Sequence, residues 1–399
     1  MSQPTLLFYC QHSLGMGHLV RSFALIRELA PGFKVVFLNG GRLPPGLPVP
    51  SRIRIIQLPP LGMSADKGLV SLDEELTLEE AQAQREAMLL AAWSRFRPQV
   101  IIVELFPFGR KKFRKELVAL LHQATRGNDL NPLVLCSLRD ILIGGRSDQQ
   151  RHDDRAADLL DRYFDAVLVH ADPSFARLEE SFKPSRVCNT PVYYTGFVLP
   201  HRESAGVSAE REERILVSAG GGIVGGPLFA AAVQAQRVLW PLSGVPMTIV
   251  AGPFLPDSDW RALQAAVRST PALTVLRSVP NLGASMREVC WSVSQCGYNT
   301  AMDIVSSRVA ALFVPFADAQ ENEQTNRAAR LVECGAAHML SAGQLDGRLL
   351  ARGIQQLMHF EPQQSCFDLG GAANTAVIVN RLVAEIPQRR LAHAVGADL

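Results

Sequence analysis

Ser294-Gln295-Cys296-Gly297-Tyr298-Asn299-Thr300-Ala301-Met302-Asp303 is followed closely by Val309-Ala310-Ala311-Leu312-Phe313-Val314-Pro315-Phe316. The pair reads as a short buried strand, a glycine turn, a helix with an acid in its second turn, and a second strand that stops at a proline. A turn that frees backbone N–H groups at a helix N-terminus is an anion site, because the donors and the helix dipole both favour negative charge. Asp303, one turn further on, is placed to accept hydrogen bonds from sugar hydroxyls. Phosphate plus ribose is the ligand this stretch describes. The alternative is a plain turn at Gly297 and a solvated helix residue at Asp303.

Working outward, the same alternation of strand and helix runs from Arg214 to Val314. Strand Arg214–Ser218 precedes Gly220-Gly221-Gly222, which reads as a second backbone cradle for phosphate. Its spacing is not that of a P-loop and no Lys-Ser/Thr follows, so nucleoside triphosphatases are disfavoured. The polar stretch from Pro200 to Glu213 has the composition of a linker, and it separates this half from an earlier, similar one. There, strand Thr5–Tyr9 and helix Leu19–Leu29 flank His12-Ser13-Leu14-Gly15-Met16-Gly17-His18. Gly15 and Gly17 let a ligand approach the backbone, but the third glycine of the dinucleotide fingerprint is missing and no acid follows the second strand. A parallel sheet with helices on both faces is expected in each half, with ligands at the carboxyl ends of the strands. His18, Glu104, Arg139 and Asp140 sit at such ends in the first half. His18, at a helix N-terminus, is expected to be neutral and able to take a proton, or else merely to cap the turn.

Composition agrees with a two-domain soluble protein. The chain has 399 residues, 47% hydrophobic and 20% charged, with a formal charge of +2, which argues against a nucleic-acid partner. Seven cysteines are scattered without a Cys-x-x-Cys pair, which suits free thiols in the cytoplasm and offers no zinc site. The N-terminus reads as neither a signal peptide nor a membrane span. One dense basic run, Arg110-Lys111-Lys112-Phe113-Arg114-Lys115, is interleaved with Phe106, Phe108 and Phe113. It reads either as a solvated helix face or as a peripheral contact with anionic lipid.

Leu14-Gly15-Met16-Gly17-His18, Cys296-Gly297-Tyr298-Asn299-Thr300, Pro315-Phe316 and Glu323-Gln324-Thr325-Asn326 together resemble the GT-B glycosyltransferases, within them the MurG-like group of glycosyltransferase family 28. Val103-Glu104-Leu105-Phe106-Pro107-Phe108-Gly109-Arg110 and Leu216-Val217-Ser218-Ala219-Gly220-Gly221-Gly222 are similar to a bacterial branch of predicted glycosyltransferases. The likeness covers about residues 1–380, and its later half is the more specific. It implies an α/β GT-B fold of two doubly wound, Rossmann-like domains facing a central cleft. Residues 1–200 would bind the acceptor, 201–213 link, 214–375 bind the nucleotide-sugar, and 376–399 form a last helix and tail.

By position, the resemblance puts Asp303 on the donor's ribose and the backbone of Val279 on its base. Gly220, Gly221, Gly222, Gly297, Asn299 and Thr300 would surround the diphosphate, and Glu323 and Gln324 the sugar. Gly15, Gly17, Arg139 and Asp140 would lie on the acceptor side. Two departures stand out. Asn322-Glu323 replaces a pair of glutamines, which leaves the donor sugar open, and Cys290-Trp291 replaces Ala-Asp for no physical reason we can give.

The implied reaction is metal-independent, inverting transfer from a UDP-sugar to a hydroxyl, with His18 or Glu104 as base and domain closure about the linker. No cofactor is expected, the nucleotide-sugar being a co-substrate. The acceptor is a saccharide, a lipid-linked compound or a small molecule. A nucleotide-sugar hydrolase using His18 on water, or a non-catalytic nucleotide-sugar binder, are the competing readings.

Overall fold

The computed structural model describes residues 3–396 except 13–15, 45–46, 65–67, 126–129, 143–147, 201–209, 317–321, 342, 344 and 365. Gly15 and most of the expected linker therefore lie outside the described residues. The chain divides into two compact units. One comprises Met1–Asp140, Ser147–Val198 and Gly370–Leu399, the other Ile141–Arg146 and Leu199–Leu369.

The first unit runs β1 (Thr5–Cys10), α1 (Gly17–Leu29), β2 (Lys34–Asn39), β3 (Ile53–Gln57), hairpin β4 (Leu61–Met63) and β5 (Leu69–Ser71), α2 (Leu78–Phe96) and β6 (Val100–Glu104). It continues with α3 (Arg114–Thr125), β7 (Leu133–Arg139), α4 (Gln149–Tyr163), β8 (Ala166–His170), α5 (Leu178–Ser181) and β9 (Val192–Tyr194). Its main sheet has the order β3-β2-β1-β6-β7-β8-β9, and every pairing in it is parallel. Leu6, Leu7, Phe8 and Tyr9 are all fully buried, as expected of a central parallel strand covered on both faces. Helix α2 begins with a capping box, Thr77 accepting from the Glu80 N–H while Glu80 accepts from Thr77.

The second unit runs β10 (Glu212–Ser218), α6 (Gly226–Ser243), β11 (Met247–Val250), α7 (Asp257–Val267), β12 (Leu273–Leu276), α8 (Leu282–Arg287), β13 (Val289–Ser294), α9 (Tyr298–Ser307), β14 (Ala310–Phe313), α10 (Glu323–Glu333), β15 (His338–Met339) and α11 (Gly347–Leu357). Its parallel sheet has the order β12-β11-β10-β13-β14-β15. Ile215, Val217, Ile249, Val293 and Leu312 form one core with α6 and α11.

Three local expectations are revised. Within the stretch from Pro44 to Leu72, strand β3 falls where Arg52 to Leu58 reads as a strand, but the β4–β5 hairpin that follows stands where a loop is expected. The helix expected from Arg110 is a 3₁₀ turn over Lys111–Phe113 and then α3, because Leu105 and Arg110 both take left-handed φ values, 66° and 59°, and reverse the chain. The final helix, α12 (Gly371–Gly396), starts before residue 376 and packs on α1 of the first unit. Val379 and Leu382 sit in that unit's core, and the Asn374 amide donates to Thr195 O at 2.9 Å. Apolar periodicity announced the helix but not the unit that would bury it.

Candidate active site

In the first unit the strand order reverses between β1 and β6, so the connections leaving these two strands part and open a crevice at their carboxyl ends. His18, on the first turn of α1, and Glu104, the last residue of β6, meet there. Nδ1 of His18 lies 2.6 Å from Glu104 Oε1. The same oxygen accepts from Arg21 Nη2 at 2.6 Å, and Oε2 accepts from Arg110 Nη2 at 2.9 Å. Arg21 follows His18 by one helical turn and therefore shares its face of α1.

Glu104 is buried, which by itself would push its carboxyl pKa up. His18, Arg110 and Arg21 outweigh that and hold it well below the usual carboxylate range. An ionised carboxylate only accepts, so Nδ1 of His18 carries the proton and Nε2 offers a lone pair. Burial lowers the His18 pKa, with Arg110 and Arg139 adding to the effect against the pull of Glu104. The ring is thus neutral, correctly oriented and one-fifth exposed. Such a pair can take a proton from a hydroxyl at Nε2 while the carboxylate steadies the imidazolium that forms. Glu104 itself, with both oxygens engaged, is an orienting group and a poor proton acceptor.

Arg139 ends β7 and acts on His18 electrostatically; Asp140, next to it, is fully buried. Gly17 is the first residue of α1, whose N-cap is Met16. A second histidine, His170, is enclosed between Ser137 Oγ (2.8 Å) and Thr195 Oγ1 (3.0 Å), and burial lowers its pKa to about 3. It is a satisfied core residue.

The second unit repeats the device. Its order reverses between β10 and β13, and the turns after these strands carry Gly220–Gly222 and Gly297. Gly220 and Gly222 have φ of 57° and 90°, and a Cβ on Gly222 would stand 2.2 Å from Ala251 O, so only glycine fits. Gly297 is the N-cap of α9, no side chain caps that helix, and a Cβ there would meet nothing within 4 Å. Among the described residues, therefore, none crowds the N-cap of α9. A Cβ on Gly220 would lie 3.6 Å from Thr300 Oγ1, so the cradle and the helix's third residue adjoin. Ser218 and Ser294, cross-strand partners at the ends of β10 and β13, have buried hydroxyls with no hydrogen-bond partner among the described residues.

Asp303 is buried on α9 against α8, and a Cβ on Gly283 would stand 2.6 Å from its Oδ1. Burial raises its pKa to about 7, with Arg287 pulling the other way. Val279 lies half-buried in the connection from β12 to α8. Asn299 begins α9 beside Thr300.

Glu323 and Gln324 open α10, and each has one side-chain oxygen engaged by the protein. Gln324 Oε1 accepts from the N–H groups of Cys296 (3.0 Å) and Phe316 (3.1 Å). Glu323 pairs at 2.6 Å with Arg327, which is fully buried and donates to Cys296 O at 2.7 Å. One turn of α10 thus grips both edges of the Cys296 peptide and fixes the turn at Gly297.

The sequence reading missed Arg110 and Arg327 as site residues, and met Arg21 only as the end of the Gly15–Arg21 turn, without a role. Spacing could have found Arg21 (His18 plus three) and Arg327 (Glu323 plus four). Arg110 was legible only as part of a basic run. The aromatic residues of that run are not at the surface: Phe106, Phe108 and Phe113 are buried, and Phe108 meets Phe182 edge-on at 5.0 Å. Lys111, Lys112, Arg114 and Lys115 remain exposed. No helix among the described residues is long and apolar enough to cross a membrane.

Comparison with known proteins agrees with this architecture. Residues 223–368 match the family model of the glycosyltransferase family 28 C-terminal domain. Over 201 residues the chain is 26% identical to the UDP-N-acetylglucosamine–N-acetylmuramyl-(pentapeptide) pyrophosphoryl-undecaprenol N-acetylglucosamine transferase of Dichelobacter nodosus. That match takes in 49% of this chain and spans about half, 53%, of that enzyme. Among solved structures, a UDP-glucosyltransferase from Polygonum tinctorium superposes with a TM-score of 0.61 at 15% identity, covering 96% of this chain and 99% of that one. MurG of Acinetobacter baumannii gives 0.56 at 18% (96% and 100% covered), and the calicheamicin glycosyltransferase 0.56 at 17% (100% and 98%).

Proposed function

We propose, from the match of residues 223–368 to the family 28 C-terminal domain and from the two-unit GT-B fold, that the chain transfers a sugar from a UDP-sugar to a hydroxyl acceptor with inversion. The observation that carries the reading is the His18–Glu104 pair at the switch point of the first sheet. In the proposed step the acceptor oxygen attacks the anomeric carbon, its proton passes to His18 Nε2, and the bond to the nucleoside diphosphate breaks. One displacement inverts the centre. Glu104 holds the ring and meets the charge formed on it, in place of serving as base.

The second unit would hold the donor. The N-terminus of α9, the Gly220–Gly222 turn and the Thr300 hydroxyl would take up charge on the leaving diphosphate, so the reading calls for no metal. Asp303 would accept from the ribose hydroxyls and the Val279 backbone would meet the base. Glu323 and Gln324 support this reading through the Cys296–Gly297 turn. The Dichelobacter nodosus relative's name includes a pyrophosphoryl-undecaprenol acceptor. A lipid-linked acceptor reached from the cytoplasmic face through Lys111, Lys112, Arg114 and Lys115 is accordingly part of the proposal, beside saccharides and small molecules.

The test is turnover of UDP-sugars in the presence of a panel of hydroxyl acceptors, with His18→Gln as control. Glycoside product of inverted configuration that needs His18 is the expected outcome. Free sugar released equally fast without any acceptor would instead assign a hydrolase, and wild-type turnover by the His18→Gln chain would overturn the catalytic reading.

A further inference from the structure

Helix α6 is 18 residues long, yet it holds no acid and a single base, Arg237. Surface helices turn charged side chains to solvent, as α11 does with Arg348 and Arg352. The outward face of α6 instead presents Pro227, Ala230, Gln234, Val238, Pro241 and Leu242. Val238 is 42% exposed and Leu242 68%. Beside this ridge, between α6 and α7, runs a groove of about 500 Å³ lined by Phe229, Val233, Leu263 and Ala266. Asp259 stands at one end of it, its carboxylate against the start of α6 at Gly226. Arg237 lies about 16 Å further along the helix, donating to Thr270 Oγ1 and Ser269 Oγ at 3.1 and 3.0 Å. Among the described residues neither Arg237 nor Asp259 forms an ion pair.

We infer that this face is the contact between two copies of the chain, packed antiparallel through α6. An apolar ridge and an apolar groove side by side on one surface complement a second copy of themselves across a two-fold axis. With the axis midway between Ala230 and Gln234, Leu242 comes level with the turn before the partner's helix, where Ile223 is also exposed. Arg237 then comes level with Pro227, where the partner subunit's Asp259 supplies the missing charge. A lipid surface fits less well, because a membrane-bound helix rims a convex apolar stripe with cations, whereas this face is grooved and holds both signs. One helix and its groove make a small interface, so micromolar association is expected. The contact is independent of the reaction proposed above and of the residues assigned to it.

Sedimentation velocity of the full chain from about 1 to about 100 µM is the test, a range that spans micromolar affinity. Dimer should accumulate over that range, and a chain that stays monomeric overturns the inference. Val238→Asp combined with Leu242→Asp should raise the dissociation constant about tenfold or more. Both positions are exposed, so stabilisation of the monomer by UDP should not change. A dimer that survives these substitutions uses another surface and overturns the inference. Charge exchange tests the register. Arg237→Glu and Asp259→Arg should each weaken the dimer about threefold or more, and the two together should restore it. A double variant no tighter than the single ones overturns the antiparallel pairing. A monomer that instead floats with phosphatidylcholine vesicles, and loses this with Val238→Asp and Leu242→Asp, would give the face to lipid and overturn the inference.

Discussion

Burial shifts His18 and Asp303 in opposite directions, lowering the imidazole pKa and raising that of the carboxyl. His18→Ala should lower transfer by about 10²–10⁴-fold with UDP binding retained, the range for a lost general base. Glu104→Gln should lower it too, because the amide can neither fix the Nδ1–H tautomer nor balance an imidazolium; kcat at saturating donor is the measurement. For Asp303 the folded pKa, about 7, lies above the unfolded value near 3.8. Between those values the native state holds more protons than the unfolded one, so this group makes stability fall as pH rises through the window. Ribose hydroxyls donate to the ionised form, so UDP affinity should rise between pH 6 and pH 8. Calorimetric titration across that range checks this: Asp303→Asn should bind UDP weakly and show no such rise. Arg287, the charged group that acts against the shift, remains in the variant.

Helix α10 acts as one element on another. Gln324 and Arg327 hold the two sides of the Cys296 peptide, and with it the start of α9. Gln324→Ala strands the N–H groups of Cys296 and Phe316, each at a cost of about 1–3 kcal/mol if no water replaces the amide. Arg327→Ala leaves the Glu323 carboxylate buried without its cation, a loss of about 3–5 kcal/mol, which Arg327→Met with Glu323→Gln should partly restore. Chemical denaturation of the variants measures these losses. Both single variants should also weaken UDP binding although neither side chain touches the open face of Gly297; unaltered affinity in Gln324→Ala would exclude the clamp. The element boundaries show how far sequence reaches. Helix α2 was legible end to end from its apolar period and its Thr77–Glu80 cap, whereas the start of α3 was not, because the left-handed position of the turn falls on Arg110 and not on the neighbouring Gly109.

For the whole molecule, the decisive measurement is thermal stabilisation by UDP, GDP, dTDP and ADP. At about 100 times its dissociation constant, the true nucleotide adds about 2.7 kcal/mol to the stability of the state that binds it. UDP is expected to stand out, and Asp303→Ala to abolish its effect; no response to any nucleotide would leave the second unit without its proposed ligand. By itself the sequence determined the two α/β halves, the glycine turns at strand ends, and His18 and Glu104 as rival candidates for the base. These are properties of local pattern: apolar strands of parallel sheets read as continuous runs, and glycine marks backbone that other residues cannot adopt. Tertiary structure alone decided that Glu104 bonds to His18, that Arg21 and Arg110 converge on that one carboxylate, and that Glu323 and Gln324 each turn an oxygen to the protein. It also decided that α12 returns to the first unit. The reason is common to all four: each depends on which side chains from distant strands and helices are brought within 3 Å, and strand order, not spacing along the chain, sets those distances.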